Sequence, residues 1–445
     1  MNASSHIFGR DCHTSLPTVV SGNGCYLIDQ HGKQYLDASG GAAVSCLGHQ
    51  HPQMKRALHE QLDKIAFAHT GFFTSEPAEQ LAQMLQEKAP GMDWVYLVSG
   101  GSEAVEAALK LARQYMIEIG QPQRHHIIAR RQSYHGNTLG ALSAGGNMMR
   151  RETYAPMLMK GSHISPCFAF REQQPNETDQ AYVARLVDEL EQEILFVGPE
   201  HVLAFIAEPV VGATAGAVPA LPGYFASMRE VCDRYGVLMI LDEVMCGMGR
   251  TGSLFAYEQE NITPDIVTIA KGLGAGYQPL GAMICTDVIY QAIKKGQGAF
   301  QHGHTYLGHP MAAAAGVAVL NIIEQENLVQ AVQQKSGLLF TRLHQTFGQH
   351  PHVGDIRGRG LFLGLELVAS RDDNQPFCPT RKLAKTIKQI ALQHGLICYP
   401  SSGTIDGRYG DHILLAPPFV IQDDQLDELV TKLHKSLDEA IAKTR

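Results

Sequence analysis

Short apolar runs alternate with longer helical patterns through the middle of the chain, between about residues 70 and 320. The runs have the lengths of buried strands and cover residues 94–98, 126–129, 202–207, 237–241 and 266–270. Strands that alternate with helices form a mostly parallel sheet with both faces covered. The pattern therefore predicts an α/β fold built around a large central domain.

The two ends of the chain carry a different pattern. Residues 24–29 and 33–37 flank a polar turn and predict a hairpin, while residues 359–367 predict a second strand system. The chain closes on an amphipathic helix that begins at Asp423 or Asp424. One face of this helix carries Leu426, Leu429, Leu433, Leu437 and Ile441.

The length of 445 residues allows a large core and two domains. We expect residues 1–69 to contribute to a small α+β lobe and residues 70–325 to form the large domain. Residues 326–445 would form the small C-terminal domain. Both chain ends would then assemble one smaller lobe against the large domain and its mostly parallel central sheet.

Composition and charge narrow the class of protein. Hydrophobic content of 44% and charged content of 18% are typical of a soluble globular chain. The net charge of −8 argues against a nucleic-acid partner, and no apolar run is long enough for a membrane helix. The first residues lack the basic-then-apolar order of a signal peptide. Nine scattered cysteines without Cys-x-x-Cys spacing favour free thiols in a reducing cytoplasm.

Several chemically capable residues follow the predicted strands directly. They are the Ser-Gly-Gly-Ser loop at 99–102, Tyr134, Glu208, Asp242 and Lys271. Ligands of open parallel sheets bind outside the carboxyl ends of the strands, so these residues would share one edge. Each has an ordinary structural explanation alone, but together they supply a phosphate loop, an aromatic ring, two acids and an amine. The sequence therefore predicts a ligand site at this edge.

The amine and the acid point to one cofactor. Strand interiors exclude cations, so Lys271 is either an accident of the strand end or a buried reactive amine. With Asp242 at the end of the preceding strand, the pair suits pyridoxal phosphate, which takes a Schiff-base lysine and a carboxylate beside its ring nitrogen. The loop with Gly101 and Ser102 opens a helix and forms an anion site, and Tyr134 could stack on an aromatic ring.

Two other kinds of site need weighing. Residues 247–252 match the dinucleotide fingerprint Gly-x-Gly-x-x-Gly, which makes a nicotinamide-dependent dehydrogenase the main alternative from another class. However, five residues separate the strand from the first glycine, and no clear helix start follows. The pairs His49/His51 and His302/His304 lack acidic or cysteine partners, so we expect structural roles and no metal. A further alternative is a catalytically silent scaffold protein, which would bind no light-absorbing cofactor.

At these residues the chain resembles the class III aminotransferases. The resemblance implies a pyridoxal 5′-phosphate-dependent transferase of fold type I. The matching motifs keep the family's order across almost the whole chain: Ser-Gly-Gly-Ser-Glu-Ala (99–104), Tyr-His-Gly (134–136), Ala-Glu-Pro-Val (207–210), Leu-Asp-Glu-Val (241–244), Gly-Arg-Thr-Gly (249–252), Ala-Lys-Gly (270–272), His-Thr-Tyr-Leu-Gly-His-Pro (304–310) and Gly-Arg-Gly-Leu (358–361).

The resemblance also implies roles for individual residues. Lys271 would be the Schiff-base lysine, Asp242 the partner of the ring nitrogen, and Glu208 a positioning group beside the ring. The remaining cofactor contacts would be Gly101 and Ser102 on the phosphate, and Tyr134 and Val244 on opposite ring faces. Thr305 would reach the phosphate of the neighbouring subunit's cofactor, because active sites of this family lie at a homodimer interface. A homodimer or a dimer of dimers is therefore expected.

Departures from the family pattern bear on the substrate. Members that use glutamate carry a second acid a few residues after the Glu-Pro, where this chain has Ala213, as in the amine:pyruvate branch. Ala43 lies near a position that is often a bulky aromatic, and Phe73, beside Phe72, is a candidate for apolar lining. Arg408 is the candidate for gripping the substrate carboxylate through its two-pronged guanidinium.

These expectations predict a transaminase that moves an amino group from an amine or ω-amino acid to a 2-oxo acid, with pyruvate preferred. The amino donor and the 2-oxo acid acceptor are its expected small-molecule partners. An aminomutase, a decarboxylase or a phospho-lyase remains an alternative within the same fold, since all share the cofactor residues.

Overall fold

The computed structural model describes residues 6–444. Residues 1–5 and 445, which include most of the stretch inspected for a signal peptide and the ends of the two predicted terminal segments, lie outside this range. The strands are β1 (Val19–Asn23), β2 (Tyr26–Asp29), β3 (Gln34–Asp37), β4 (Trp94–Val98), β5 (His126–Arg130), β6 (Ser162–Ile164), β7 (Val202–Ala207), β8 (Val210–Val211), β9 (Val218–Pro219), β10 (Leu238–Asp242), β11 (Ile266–Ile269), β12 (Gly281–Cys285), β13 (Val353–Arg359), β14 (Phe362–Leu367), β15 (Leu396–Ile397), β16 (Tyr399–Ser402) and β17 (Asp411–Leu415).

The helices are α1 (Gly40–Ala43), α2 (Pro52–Lys64), α3 (Glu76–Lys88), α4 (Gly101–Glu118), α5 (Leu139–Ala144), α6 (Met148–Arg151), α7 (Ala169–Glu172), α8 (Asp179–Val197), α9 (Tyr224–Tyr235), α10 (Asp287–Lys295), α11 (Pro310–Gln325), α12 (Leu328–Phe347), α13 (Leu383–Gln393) and α14 (Asp423–Lys443). None of the helices in the described range is long and apolar enough to cross a membrane. All nine cysteines are free.

A seven-stranded sheet forms the centre, in the order β4-β12-β11-β10-β7-β5-β6. Strands β11, β10, β7, β5 and β6 are parallel, whereas β12 runs antiparallel to both of its neighbours. The α/β prediction with a mostly parallel central sheet is confirmed. Strands β6 and β12 were not predicted, β6 being only three residues long. The direction of β12 has a simple reason. Only residues 270–280 connect it to β11, which is too short for a parallel crossover, so the chain turns back beside β11.

Alternating side chains bury both faces of this sheet. Ile240 and Ile266 pack in one cluster with the apolar side of α4. Their neighbours Leu241 and Val267 point to the opposite face and pack in a second cluster with α8 and α9. Burial on both faces explains why these strands are continuously apolar.

The two chain ends meet in smaller sheets. Strand β3 pairs in parallel with β15, Leu36 opposite Leu396, so the N-terminal hairpin and the C-terminal part share one sheet. The strand system predicted at 359–367 contains β14, and its partner β13 lies almost entirely before that stretch. Gly360 adopts a positive φ of 63° and turns the chain between the two antiparallel strands. The predicted apolar face of α14 is buried. The division at residues 69/70 and 325/326 stays a prediction.

Candidate active site

A cavity of about 500 Å³ opens at the carboxyl ends of the central parallel strands. Seven residues predicted from the sequence line it together: Gly101, Ser102, Tyr134, Glu208, Asp242, Val244 and Lys271. We call the placement of ligands at the carboxyl ends of parallel strands the strand-end rule. In agreement with this rule, residues up to 170 positions apart in the sequence lie on one wall of the cavity.

The N-terminus of α4 forms an anion cradle in this cavity. No side chain caps the helix at Gly100, so its first backbone N–H groups remain available to a ligand. The Ser102 hydroxyl donates to Asn137 Oδ1 at 3.0 Å and accepts from the Asn137 backbone N–H at 3.1 Å, which fixes its position at the cradle. A Cβ on Gly101 would come 2.7 Å from Val244 Cγ1, so a glycine is required where α4 approaches that side chain.

Asp242 is held by three donors at the base of the cavity. Its Oδ2 lies 2.8 Å from His135 Nδ1, and its Oδ1 accepts from the Val244 backbone N–H at 3.0 Å and the Thr268 hydroxyl at 3.3 Å. His135 Nε2 is buried without a hydrogen-bond partner among the described residues. This network fixes a buried carboxylate in one orientation, as a partner for a cationic ring nitrogen requires.

Glu208 occupies a separate position beside Tyr134. Its Oε1 accepts from the Tyr134 backbone N–H and its Oε2 from the Gly212 backbone N–H, both at 3.0 Å. Burial raises the pKa of Glu208, and the nearby charge of Asp242 adds to that rise. Glu208 thus braces the segment that carries the Tyr134 ring.

Lys271 starts the turn after β11 with a positive φ of 47°, an uncommon conformation for a residue with a side chain. Burial lowers the pKa of its amine from 10.5 to about 8, although the negative charges of Asp242 and Glu208 act in the opposite direction. A large fraction of this amine is therefore the nucleophilic free base in mildly alkaline solution.

The short segment α1 (Gly40–Ala43) is a left-handed turn and supplies another part of the wall. Gly40, Gly41, Ala42 and Ala43 all have positive φ angles. Ala42 lines the cavity, whereas Ala43 is buried in an apolar cluster behind the wall. Ala213 also lines the cavity. The cavity wall therefore carries small side chains at two positions, Ala42 and Ala213.

Three other predicted residues do not line this cavity. Arg408 is 73% exposed in its side chain and lies 3.5 Å from Glu152 Oε1. Phe73 is 69% exposed and Thr305 is on the surface. The roles predicted for Arg408, Phe73, Thr305 and Ala43 stay predictions.

The cavity also contains residues that the sequence did not single out. His135 belongs to the Tyr-His-Gly motif, and its place directly after Tyr134 is a usable signal. Arg150, Tyr399 and the exposed Arg10 come from segments outside the central strand ends. The strand-end rule does not reach such segments.

The dinucleotide alternative is not supported by the fold of its motif. Residues 247–252 form a series of turns, followed by a short 3-10 helix at Ala256–Glu260. The Arg250 side chain is buried and donates to the backbone carbonyls of Leu361 and Pro417. The motif ties the central domain to the C-terminal strands and opens no nucleotide-binding helix.

One cavity thus brings together an amine of lowered pKa, a fixed carboxylate and a helix N-terminus. These residues fit pyridoxal phosphate, and the cavity is a site for that cofactor. Comparison with known proteins gives the family. Residues 8–437 match the family described as aminotransferase class-III. The chain belongs to the class III aminotransferases, which excludes the dehydrogenase and scaffold alternatives.

Relatives and solved structures agree with this assignment. The chain is 47% identical to an uncharacterised aminotransferase of Schizosaccharomyces pombe, over 96% of this chain and 93% of that protein. It is 34% identical to the putrescine–pyruvate aminotransferase of Pseudomonas aeruginosa, over 95% and 91%. A thermostable (S)-enantioselective ω-transaminase from Thermomicrobium roseum superposes with a TM-score of 0.90 at 37% identity, covering 96% and 93%.

The cofactor follows from the same comparisons. The ω-transaminase of Pseudomonas jessenii, solved with pyridoxamine phosphate, matches with a TM-score of 0.90 at 32% identity, covering 96% of this chain and 94% of that one. The protein has the fold type I architecture and is a pyridoxal 5′-phosphate-dependent aminotransferase.

Proposed function

We propose that the enzyme transfers the amino group of an amine or ω-amino acid to pyruvate. The observation that carries this proposal is Ala213 in the cavity wall. A glutamate-using site needs an acid there to neutralise a substrate-binding arginine when no distal carboxylate is bound. Alanine cannot do this, so a small acceptor with one carboxylate fits better than a dicarboxylic acid. The relative named for putrescine and pyruvate supports this choice.

The residues divide the work of the reaction. The cofactor, when bound, supplies an electron sink that makes a proton on the amino-bearing carbon removable. Lys271 Nζ is the group that moves this proton, since burial lowers the pKa of its amine to about 8. Asp242 would present its carboxylate to the ring nitrogen of the bound cofactor. The cradle at Gly101 and Ser102 would hold the phosphate, and Tyr134 and Val244 would enclose the ring.

We also propose that the enzyme works as a homodimer in the cytoplasm. Phe72 and Phe73 are 81% and 69% exposed and lie in a surface depression between Thr70 and Thr74. Exposed aromatics in one patch are typical of a protein–protein interface. The free cysteines suit a reducing compartment. Thr305 would complete the partner subunit's phosphate site.

A donor and acceptor panel tests the substrate proposal. Purified holoenzyme is incubated with 4-aminobutyrate, butylamine or putrescine, each with pyruvate and with 2-oxoglutarate, and alanine and glutamate are quantified by chromatography. We expect alanine from pyruvate with at least one donor and much less glutamate. Glutamate as the main product would refute the pyruvate proposal and leave the aminotransferase family assignment intact.

A further inference from the structure

The catalytic cavity contains two cations that the reaction described above does not use, Arg10 and the more buried Arg150. Arg150 lies in the short helix α6 and its side chain lines the cavity with Tyr134 and Lys271. Resting on the proposed amine:pyruvate function, we propose that Arg150 binds the carboxylate of the substrate, both in pyruvate and in an ω-amino acid donor.

One contact holds the backbone of Arg150 and another holds its guanidinium. The Asn147 side chain accepts from the Arg150 backbone N–H at 3.2 Å and caps the start of α6. The Arg150 Cζ atom lies 4.7 Å from the centroid of the Tyr134 ring, over one face of that ring. Stacking on an aromatic ring holds a guanidinium in place while its N–H edge remains available for a planar anion.

The charge of Arg150 is uncompensated within the described residues. Its Nε is buried without a hydrogen-bond partner, and no ion pair joins its guanidinium to an acid in residues 6–444. Both acids of the cavity are already committed. Asp242 accepts from His135, Val244 and Thr268, and Glu208 accepts from two backbone N–H groups.

The adjacent arginine shows the contrast. Arg151 uses its Nη1 to donate to the carbonyls of Leu142, Ser143 and Gly145, so it fastens the chain after α5. A buried cation normally has such partners, because an unpaired buried charge is costly. Arg150 lacks them and faces a cavity, which is the arrangement expected of an anion-binding group.

Two other arginines are weaker candidates. Arg408 is 73% exposed, pairs with Glu152 and lies outside the cavity lining. Arg10 lines the cavity but is exposed to water, which screens its charge. A guanidinium that is partly buried beside a ring grips a carboxylate more strongly than either.

Arg150 has a consequence for donor choice. Ala213 offers no acid to neutralise the guanidinium when the substrate lacks a carboxylate. A donor that brings its own carboxylate satisfies Arg150, whereas an alkylamine of the same length leaves it unpaired. The enzyme should therefore prefer 4-aminobutyrate to butylamine, two donors that differ only at the far end of the chain.

The test uses Arg150→Gln and Arg150→Lys holoenzymes and separates the two half-reactions by rapid-mixing absorbance. In Arg150→Gln, kcat/KM for pyruvate and for 4-aminobutyrate should fall by about two orders of magnitude, because charge-assisted hydrogen bonds are lost. Butylamine should change by less than about threefold, since it makes no such bond. Arg150→Lys keeps the charge but not the two-pronged geometry and should fall between wild type and Arg150→Gln.

Binding of propionate, an unreactive carboxylate, provides a readout that is independent of turnover. Its dissociation constant, measured by competition or by the change in cofactor absorbance, should rise in Arg150→Gln. Arg56→Gln makes the same charge change on the exposed surface of α2 and should leave propionate binding unchanged.

The outcomes separate this inference from the proposed function. Equal losses for butylamine and 4-aminobutyrate, or unchanged propionate binding in Arg150→Gln, would overturn the role of Arg150. Loss of carboxylate binding in Arg408→Gln instead would also overturn it. If wild-type enzyme fails to use pyruvate while Arg150→Gln still loses propionate, the acceptor proposal fails and the carboxylate site stands.

Discussion

Lys271 combines an uncommon backbone conformation with an amine of lowered pKa. Its left-handed φ ends β11 abruptly and places the residue in the turn at the sheet edge. Strain of this kind persists only where the surroundings over-determine it, which is common at active sites. Both features exist in the chain itself before any cofactor arrives.

The reactivity of Lys271 should therefore depend on pH in a defined way. Burial disfavours the ammonium form and lowers its pKa to about 8, so the free amine increases as pH rises through that value. The rate at which apoenzyme attaches pyridoxal phosphate, followed by visible absorbance, should rise between pH 7 and 9 and then level off. A rise centred near pH 10 would contradict the lowered pKa. Lys271→Ala should show no attachment and no turnover.

Asp242 gives a second test at the residue scale. Asp242→Asn keeps the shape but removes the negative charge that stabilises a protonated ring nitrogen. Single-turnover proton transfer should slow by roughly 10²–10⁴-fold, whereas cofactor occupancy should change little. Thr268→Val is the matched control, because it removes one hydrogen bond to Asp242 and keeps the charge. Similar losses in both variants would show that orientation, and not charge, is what Asp242 contributes.

At the scale of elements, the junction of β4 and α4 contains two adjacent glycines. Gly101 is required by packing, whereas Gly100 is not. A Cβ on Gly101 meets Val244 Cγ1 at 2.7 Å, whereas a Cβ on Gly100 meets nothing within 4 Å. The overpacking in Gly101→Ala should cost about 1–3 kcal/mol in the free energy of unfolding, measured by urea denaturation of the apoprotein. Gly100→Ala should stay within about 0.5 kcal/mol of wild type.

A second substitution at Val244 should compensate for the overpacking in Gly101→Ala. Adding Val244→Ala to Gly101→Ala removes the atoms that a Cβ would strike and should recover part of the lost stability. A double variant as unstable as Gly101→Ala would place the cause elsewhere.

The sequence predicted the central strands because burial on both faces makes them continuously apolar. Strand β12 is also buried along its whole length, but it escaped prediction because Gly281 to Cys285 contain only one β-branched residue, Ile284. Strand β13 escaped prediction because Asp355, Arg357 and Arg359 interrupt its apolar pattern. The N-terminal hairpin was predictable as well, because its polar turn separates two short strands that pair as β2 and β3.

Some residues of the candidate site could be predicted from the sequence, and others could not. The strand-end rule brought Lys271, Asp242 and Glu208 together, because parallel strands end at a common edge. Nothing in the sequence separates Arg150 from Arg151, although one faces the cavity and the other binds carbonyls. That difference arises only when α6 packs beside Tyr134.

For the whole molecule, the exposed aromatics at 72 and 73 predict the oligomeric state. Sedimentation of wild-type enzyme should give at least twice the mass of one chain. The double variant Phe72→Asp, Phe73→Asp should sediment as a monomer and lose activity, because charges do not bury in an apolar interface. Phe196→Asp makes the same change at another exposed phenylalanine, 86% exposed on α8, and should leave the mass unchanged. A fully active monomer would refute the shared site.

The pairing of β3 with β15 also has a consequence for synthesis on the ribosome. Strand β3 leads directly into the left-handed turn that supplies Ala42 to the cavity wall, but its partner Leu396 is made 360 positions after Leu36. At ordinary translation speeds this interval lasts roughly 20–70 s. During that time the N-terminal hairpin keeps an unpaired edge, which is the kind of surface that chaperones cover. The nascent chain therefore cannot complete this sheet until β15 has been translated.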